Sequence, residues 1–240
     1  MKTVKIVGII SSLRKNGNTA PLALAALQSA RDMGADVTEI YLGDCHLEYC
    51  NGCQTCVKTG ICALRDDFNR IRDALYGADG ILLASPTYCG TCNAPMKNLF
   101  DRLGLYEVMT CMLGGKHVSA ISTASSAKTA QKTAAALVRP IASGIFHASR
   151  ISGIVGAGYK KKTTPAEIEK ALMQARRLGE NLIKDVLAEK RKGLQNAMMR
   201  IITRLFVRPM FIRYIISSKD DGTKAVYDSL LSRGLITEAR

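Results

Sequence analysis

The stretch VKIVGIISSLRKNGNT, residues 4–19, indicates the architecture of the chain. Its first part, Val4–Ile10, is an apolar run, which is typical of a strand buried on both faces of a sheet. A polar, glycine-containing loop over Ser11–Thr19 follows, and an Ala/Leu-rich segment continues to about Met33. We therefore predict a strand, a loop and a helix in this order, the opening unit of a parallel α/β sheet.

Four further apolar runs alternate with helical segments along the chain. The predicted strands are Asp36–Leu42, Gly80–Ser85, His117–Ser122 and Arg150–Val155. Apolar strands joined by helices indicate a parallel sheet that is covered on both faces. Five such units suit a doubly wound α/β fold with a five-stranded parallel sheet of order 2-1-3-4-5. In that order the ligand lies at the carboxyl ends of strands 1 and 3.

The pattern predicts a domain over residues 1–192 and a basic, amphipathic helical extension over 193–240. The sequence Thr164-Pro165-Ala166-Glu167 is typical of a capped helix start, and this last long helix is predicted to end near Lys192. Asp66 or Asp67 is well placed to cap an earlier helix that ends near Tyr76.

Composition indicates a globular chain: 47% of its 240 residues are hydrophobic, and it contains no Trp. Residues 1–20 lack the apolar core of a signal peptide, and no stretch approaches the about 18 apolar residues of a membrane span. We therefore expect a cytoplasmic protein without structural disulfides.

The net charge is +14, and residues 151–240 carry 18 basic against 9 acidic side chains. A positively charged segment of this kind can bind an anionic lipid surface, nucleic acid or an acidic redox partner. No zinc finger, recognition helix or aromatic stacking signature accompanies the charge, so nucleic acid is disfavoured.

Four cysteines fall within thirteen residues, in a predicted loop over residues 45–65. The spacing is Cys50-x2-Cys53-x2-Cys56-x5-Cys62. A Cys-x2-Cys-x2-Cys run gathers three thiolates around one point, which favours a [4Fe-4S] cluster that the fourth cysteine completes. Structural zinc sites more often draw on two separated Cys-x2-Cys pairs. Zinc or an unmetallated thiol cluster remains the alternative, and Lys58 and Arg65 are the nearby cations.

Polar loops follow strands 1, 3 and 4 of the predicted sheet. The first, Ser11–Thr19, has neither a Walker A nor a Gly-x-Gly-x-x-Gly pattern. It offers hydroxyl groups, Arg14 and the N-terminus of a helix as donors, which suits a single phosphate monoester. The second begins at Ser85-Pro86-Thr87-Tyr88, and the third is Thr123–Ser126. Three polar loops on one edge of the sheet fit a flat, phosphorylated cofactor.

Together these motifs resemble the iron–sulfur flavoprotein branch of the NADPH-dependent FMN reductase family. The resemblance rests on Ser12–Thr19, Cys50–Cys62 with Asp66-Asp67, and Ser85–Tyr88 with Ala94–Lys97 and Asp101-Arg102. It implies a flavodoxin-like fold, FMN on the three loops, and homo-oligomers (dimers or tetramers) that bring one subunit's cluster near a neighbour's flavin. The sequence departs from the usual family pattern at Ser11, Leu13, Cys89 and Cys92.

By this resemblance, the FMN phosphate is held by Ser12, Arg14, Asn16, Gly17, Asn18 and Thr19. The isoalloxazine is bordered by Pro86, Thr87, Tyr88, Cys89 and Gly90, with Thr123 and Ser125 on its far side. Cys89 and Cys92 form a further Cys-x2-Cys, interpreted either as a redox-active dithiol or as small side chains against the ring.

The predicted function is electron transfer by FMN and a [4Fe-4S] cluster, from a reduced donor such as ferredoxin or NAD(P)H to an acceptor that no motif encodes. No catalytic side chain is predicted, because the flavin N5 carries the hydride step. The alternative is an NAD(P)H-dependent FMN or quinone reductase whose cysteine loop is structural or binds zinc. A redox-sensing or interaction module is a third hypothesis.

Three interpretations apply to the extension, in which Arg200, Arg204 and Arg208 recur every four residues. It is an arm that packs on another subunit, a helix over residues 194–217 that lies in a membrane interface, or a cover on its own domain.

Overall fold

The computed structural model describes residues 3–142, 144–160, 162–189 and 201–237. Five parallel strands form the sheet in the order β2-β1-β3-β5-β6, and the short β4 pairs antiparallel with β3. The strands are β1 (Lys5–Ile10), β2 (Asp36–Tyr41), β3 (Gly80–Tyr88), β4 (Thr91–Cys92), β5 (His117–Ala124) and β6 (Arg150–Gly158). The predicted parallel order is confirmed, in a flavodoxin-like α/β fold.

The sheet has six strands rather than the predicted five, because β3 continues past Ser85 and folds back as a hairpin with β4. β5 and β6 also extend beyond their predicted ends, to Ala124 and Gly158. These extensions carry polar or small residues that an apolar-run criterion does not count as strand.

Helices connect the strands and cover both faces of the sheet. They are α1 (Thr19–Asp32), α2 (Thr55–Thr59), α3 (Phe68–Gly77), α4 (Ala94–Thr110), α5 (Ala127–Ala142), α6 (Pro165–Leu187), α7 (Arg208–Ser217) and α8 (Lys224–Ser232). A 3₁₀ turn spans Leu42–Asp44, and a π-helical turn spans Thr203–Val207 immediately before α7. None of the helices in the described ranges is long and apolar enough to cross a membrane.

Alternating residues of the strands build two hydrophobic clusters. Ile6 and Ile10 pack with α1 and α6, whereas Val7 and Ile9 pack with α3, α4 and α5. α1 and α6 approach so closely at Gly179 that a Cβ there would collide with the Ala26 carbonyl. This packing holds the first helix, and therefore the loop before it, in a defined position.

The predicted capping box is found, and at the earlier helix the N-cap position is Asp67, whose side chain makes no cap hydrogen bond. The Thr164 hydroxyl accepts a hydrogen bond from the Glu167 N–H, and the Glu167 carboxylate accepts one from the Thr164 N–H, a complete capping box. Asp66 accepts a hydrogen bond from the Phe68 N–H at the start of α3. The prediction that the last helix continues to Lys192 is wrong, because α6 ends at Leu187; Lys192 itself lies outside the described residues.

The C-terminal helices pack against the cysteine loop. Ile215 of α7 and Val226 and Leu230 of α8 form a third hydrophobic cluster with Val57, which lies in α2 between the third and fourth cysteines. The Arg233 guanidinium also donates to the Thr110 and Cys111 carbonyls at the end of α4 (2.6 and 3.1 Å). α7 and α8 therefore cover part of their own domain.

Candidate functional site

Three loops meet at the carboxyl edge of the parallel sheet. The Thr19 and Thr123 hydroxyls lie 2.7 Å apart, which joins the loop after β1 to the loop after β5. The Thr87 and Ser122 hydroxyls lie 3.0 Å apart and join β3 to β5. The polar loops recognised in the sequence therefore lie side by side, where a doubly wound sheet binds its ligands.

The loop after β1 combines exposed polar side chains with an open helix start. Arg14, Asn16 and Asn18 are exposed, and the Gly17 N–H donates to the Arg14 carbonyl (3.0 Å). The buried Ser12 hydroxyl donates to the same carbonyl (3.0 Å). α1 has neither a side-chain cap nor an acidic residue in its first turn, so its first N–H groups remain available to an anion.

Lys15 and Arg14 are neighbours with different surroundings. The Lys15 ammonium lies 2.6 Å from the Asp44 carboxylate, and this hydrogen bond raises the pKa of Lys15. Arg14 has no ion pair among the described residues. Arg14 is therefore the cation of this loop that is available to a ligand.

The loop after β3 is a tight hairpin. Cys89 and Gly90 form its tip with φ values of +49° and +80°, as a type I′ turn requires. Tyr88 and Cys89 are exposed, whereas Pro86 and Thr87 are partly buried. Cys92 is half-buried against the core, and this burial raises the pKa of its thiol. The two cysteines thus have unequal environments.

The two predicted residues of the third loop also differ. Thr123 is buried with its hydroxyl against Thr19, while Ser125 is exposed. Thr123 therefore connects the loops, and Ser125 presents its hydroxyl at the surface.

The cysteine loop follows β2 and the 3₁₀ turn. Cys50 and Cys53 are exposed, and Cys56 and Cys62 are partly buried. The chain bends at Gly52 and Gln54, which have φ values of +71° and +59°. Within the described ranges, no three Cys, His, Asp or Glu side chains already stand in the arrangement of a metal site.

The four thiols nevertheless interact electrostatically. The pKa of Cys56 is raised, first by burial and then by negative charge at Cys62, Cys53 and Cys50. Thiolates that repel one another in this way are stabilised by a bound cation, and four soft sulfur donors suit iron or zinc. The donor set therefore fits the predicted metal centre.

A buried ion pair anchors the loop to α4. The Arg102 and Asp66 side chains are fully buried (0% exposed) and form two hydrogen bonds, of 2.6 and 2.9 Å. Arg102 also donates to the Cys62 sulfur (3.3 Å) and to the Glu48 carbonyl (2.6 Å). Its Nε is buried without an acceptor in the described part of the chain, so one charge-assisted donor of this guanidinium is unused.

A family model described as NADPH-dependent FMN reductase matches residues 4–162, which include all three loops and the four cysteines. The chain belongs to this family.

Curated members named iron–sulfur flavoprotein are similar to the chain. One from Archaeoglobus fulgidus is 36% identical over 100 residues, covering 42% of this chain and 46% of that protein. One from Methanosarcina thermophila is 32% identical over 129 residues, covering 54% and 68%. A second from A. fulgidus is 29% identical over 210 residues, covering 81% and 100%. The first match spans about half of that relative. The matches place this FMN reductase family member in the iron–sulfur flavoprotein branch.

Solved structures share the fold at low identity. A flavone reductase superposes with a TM-score of 0.58 at 17% identity, covering 99% of both chains. FerB, a flavoenzyme NAD(P)H:(acceptor) oxidoreductase from Paracoccus denitrificans, gives 0.56 at 16% identity, covering 78% of this chain and 99% of its own. These likenesses support the flavodoxin-like fold alone.

Sequence reasoning missed Asn93, which links two of the loops of this FMN reductase family member. Its amide oxygen accepts hydrogen bonds from the Ser11 hydroxyl (2.6 Å) and the Ser85 hydroxyl (3.1 Å), and its amide nitrogen donates to the Ser11 carbonyl (2.6 Å). Asn93 is 1% exposed. An Asn directly before Ala94-Pro95 suggests a helix cap, but the sequence contains no signal for these long-range partners.

Replacing Asn93 with alanine is expected to lower the free energy of unfolding by about 2–4 kcal/mol, because it removes three buried hydrogen bonds and leaves the Ser11 carbonyl without its side-chain donor. Urea unfolding measures this change. Asn18→Ala, at an exposed Asn without a cap hydrogen bond, is the control and should cost less than about 1 kcal/mol. Equal effects of the two substitutions would contradict the assigned role of Asn93.

Proposed function

We propose that the chain binds FMN on its three loops and a [4Fe-4S] cluster on Cys50, Cys53, Cys56 and Cys62, and transfers electrons between them. The observation that carries this proposal is α4, which connects the two sites. Its cap residue Asn93 bonds to the loops after β1 and β3, and Arg102 bonds to Asp66 and Cys62. These two residues are nine positions apart, which is about 14 Å along a helix.

In this proposal the phosphate lies at the start of α1, held by backbone N–H groups, Arg14 and the polar side chains of Ser12–Thr19. The ring lies against Pro86–Gly90, with Thr123 and Ser125 beyond it. In this arrangement the exposed Tyr88 side chain borders the ring on one part of its edge, and the backbone of the hairpin tip borders it on another. The names of the curated relatives and of the family model support both cofactors.

FMN exchanges electrons in pairs or singly and a cubane cluster exchanges them singly, so the two together couple a two-electron donor to a one-electron acceptor. The side chains of the protein hold the two groups in place and adjust their reduction potentials. Arg102 places a buried positive charge against Cys62, which favours a more negatively charged cluster electrostatically. The exposed Cys50 and Cys53 leave that side of the loop open to a redox partner.

The donor in this proposal is ferredoxin or NAD(P)H, and the active form is a homo-oligomer in the cytoplasm. A nicotinamide has to stack directly over the flavin, because the described residues form a single doubly wound sheet and the sequence contains no Gly-x-Gly-x-x-Gly loop.

A second candidate function is an NAD(P)H-dependent FMN or quinone reductase with a structural or zinc-binding cysteine loop. It is favoured by the description of the family model and by the exposure of Cys50 and Cys53. Iron, sulfide, zinc and FMN assays on anaerobically purified protein separate the two. About four iron and one FMN per chain support electron transfer. FMN with zinc or without metal supports the simple reductase.

Replacing Arg14 with alanine is expected to weaken FMN binding about 10- to 100-fold, because a charge-assisted hydrogen bond to the phosphate is lost. Flavin fluorescence titration of the apoprotein measures the affinity. Lys15→Ala is the matched control, since Lys15 is already paired with Asp44 and should change the affinity less than about threefold. Unchanged affinity in Arg14→Ala would refute the phosphate assignment.

A further inference from the structure

The helical segment that runs from Ile201 through the π-helical turn to the end of α7 carries a row of exposed apolar side chains. The six large ones are Ile201, Ile202, Leu205, Phe206, Met210 and Tyr214, each at least 38% exposed. Positions 202, 206, 210 and 214 recur every four residues, and side chains at this spacing share one side of a helix. Contiguous apolar surface of this kind on a water-soluble domain marks an interaction site.

The opposite side of the same helix is attached to the domain. Ile215 is fully buried, and the Phe211 ring meets the Phe146 ring edge to face at 5.9 Å between centroids. The Arg208 guanidinium stacks over Phe146 at 4.9 Å and donates to the Leu235 carbonyl (3.4 Å). The helix is therefore held on one side, and the apolar row lies on the other.

The charge of this segment indicates which occupant covers the row. Residues 190–217 contain seven Lys or Arg and no Asp or Glu, and Arg204 and Arg213 are exposed in the described part. A second copy of the chain has the same net charge of +14, so pairing row to row brings like charges together. Charge complementarity favours an anionic surface.

We propose that this helix docks the protein on an anionic phospholipid surface. It lies parallel to the membrane, with Leu205, Phe206 and Met210 at the acyl boundary and Arg204 and Arg213 at the lipid phosphates. Aromatic side chains at the row, Phe206 and Tyr214, suit the interface between headgroups and acyl chains. The docking does not depend on the proposed cofactors, because the residues of the row lie outside the three loops and the cysteine loop.

Sedimentation of the full-length protein with vesicles tests the proposal. Vesicles of phosphatidylcholine with about 30% phosphatidylglycerol should bind at least about tenfold more tightly than phosphatidylcholine alone, and salt should weaken the binding. The double substitution Leu205→Ser with Phe206→Ser should reduce binding at least about tenfold. Arg204→Gln and Arg213→Gln should reduce it about fivefold each.

Leu187→Ser is the matched control, because Leu187 is 64% exposed on α6 and Leu205 is 61% exposed. It should leave vesicle binding unchanged, and the FMN spectrum of every variant should match that of the parent protein. Failure to sediment with phosphatidylglycerol vesicles, or an equal loss in Leu187→Ser, overturns the proposal. So does a double variant that splits an oligomer in light scattering without changing vesicle binding, because the row then belongs to a second copy.

Discussion

Replacing Cys53 with serine is expected to remove the iron of the proposed cluster while the proposed FMN stays bound. Serine offers a hard hydroxyl in place of a soft thiolate and does not retain iron in a sulfur site. Cys53 is exposed and belongs to none of the three hydrophobic clusters, so the fold should be preserved. Iron and sulfide should fall from about four to below about one per chain, with the flavin absorption retained.

Cys45→Ser is the control for this experiment. Cys45 lies in the same loop, its thiol donates to the Tyr41 carbonyl (3.2 Å), and it is not a proposed ligand. It should keep its full iron content, and loss of iron in Cys45→Ser would show that the ligand set is different. Loss of FMN together with iron in Cys53→Ser would instead indicate that the cysteine loop also forms the flavin pocket.

Replacing Arg102 with leucine is expected to lower the free energy of unfolding by about 3–5 kcal/mol, because Asp66 then remains charged and buried without its partner. Urea unfolding of the flavin-bound protein at neutral pH measures the loss. The matched control is Lys97→Met on the same helix, where the Lys97–Asp101 pair (2.6 Å) is largely exposed. It should cost less than about 1 kcal/mol. Similar losses in both variants would contradict the anchoring role of Arg102.

The pH dependence of the free energy of unfolding gives a second test of the Arg102–Asp66 pair. Burial alone raises the pKa of Asp66, but hydrogen bonds from Arg102 and from the Phe68 and Glu48 N–H groups outweigh it and hold the pKa below its ordinary value. A lowered folded-state pKa adds stability above the unfolded-state pKa of about 3.9, and this stability is lost as the pH falls below it. The difference in stability between the parent protein and Arg102→Leu should therefore narrow on acidification below about pH 4.

The elements that sequence reasoning predicted well are those with local signals. Val4–Ile10 and the other apolar runs identify the parallel strands, and alternation with helices gives their order. The capping box at Thr164 and Glu167 requires only four consecutive residues, so it could be read directly. Polar loops at strand ends also predicted that the loops after β1, β3 and β5 meet at one edge of the sheet, where the candidate site lies.

The features that were missed depend on contacts between distant segments. Asn93 bonds to Ser11, and Arg102 bonds to Asp66 and Cys62, yet neither the cap position of Asn93 nor the helical position of Arg102 signals these partners in the sequence. Lys58 and Arg65 were named as the cations near the cysteines, whereas the cation that contacts Cys62 is Arg102. Contacts between residues that are distant in the chain form only in the completed fold, and they leave no periodic pattern in the sequence.

The contact of α8 with α2 joins two segments that are far apart in the chain, and we expect the two segments to open together. Val226 and Leu230 cover Val57, so opening of the C-terminal helices also uncovers the backbone around Cys56. Amide protons of the two segments should then exchange with solvent together. Proteolytic removal of the C-terminal helices would therefore increase the exposure of the Cys56 thiol to oxidants, although no cysteine is removed. We therefore expect the oxygen tolerance of the cysteine loop to depend on a segment far from it in sequence.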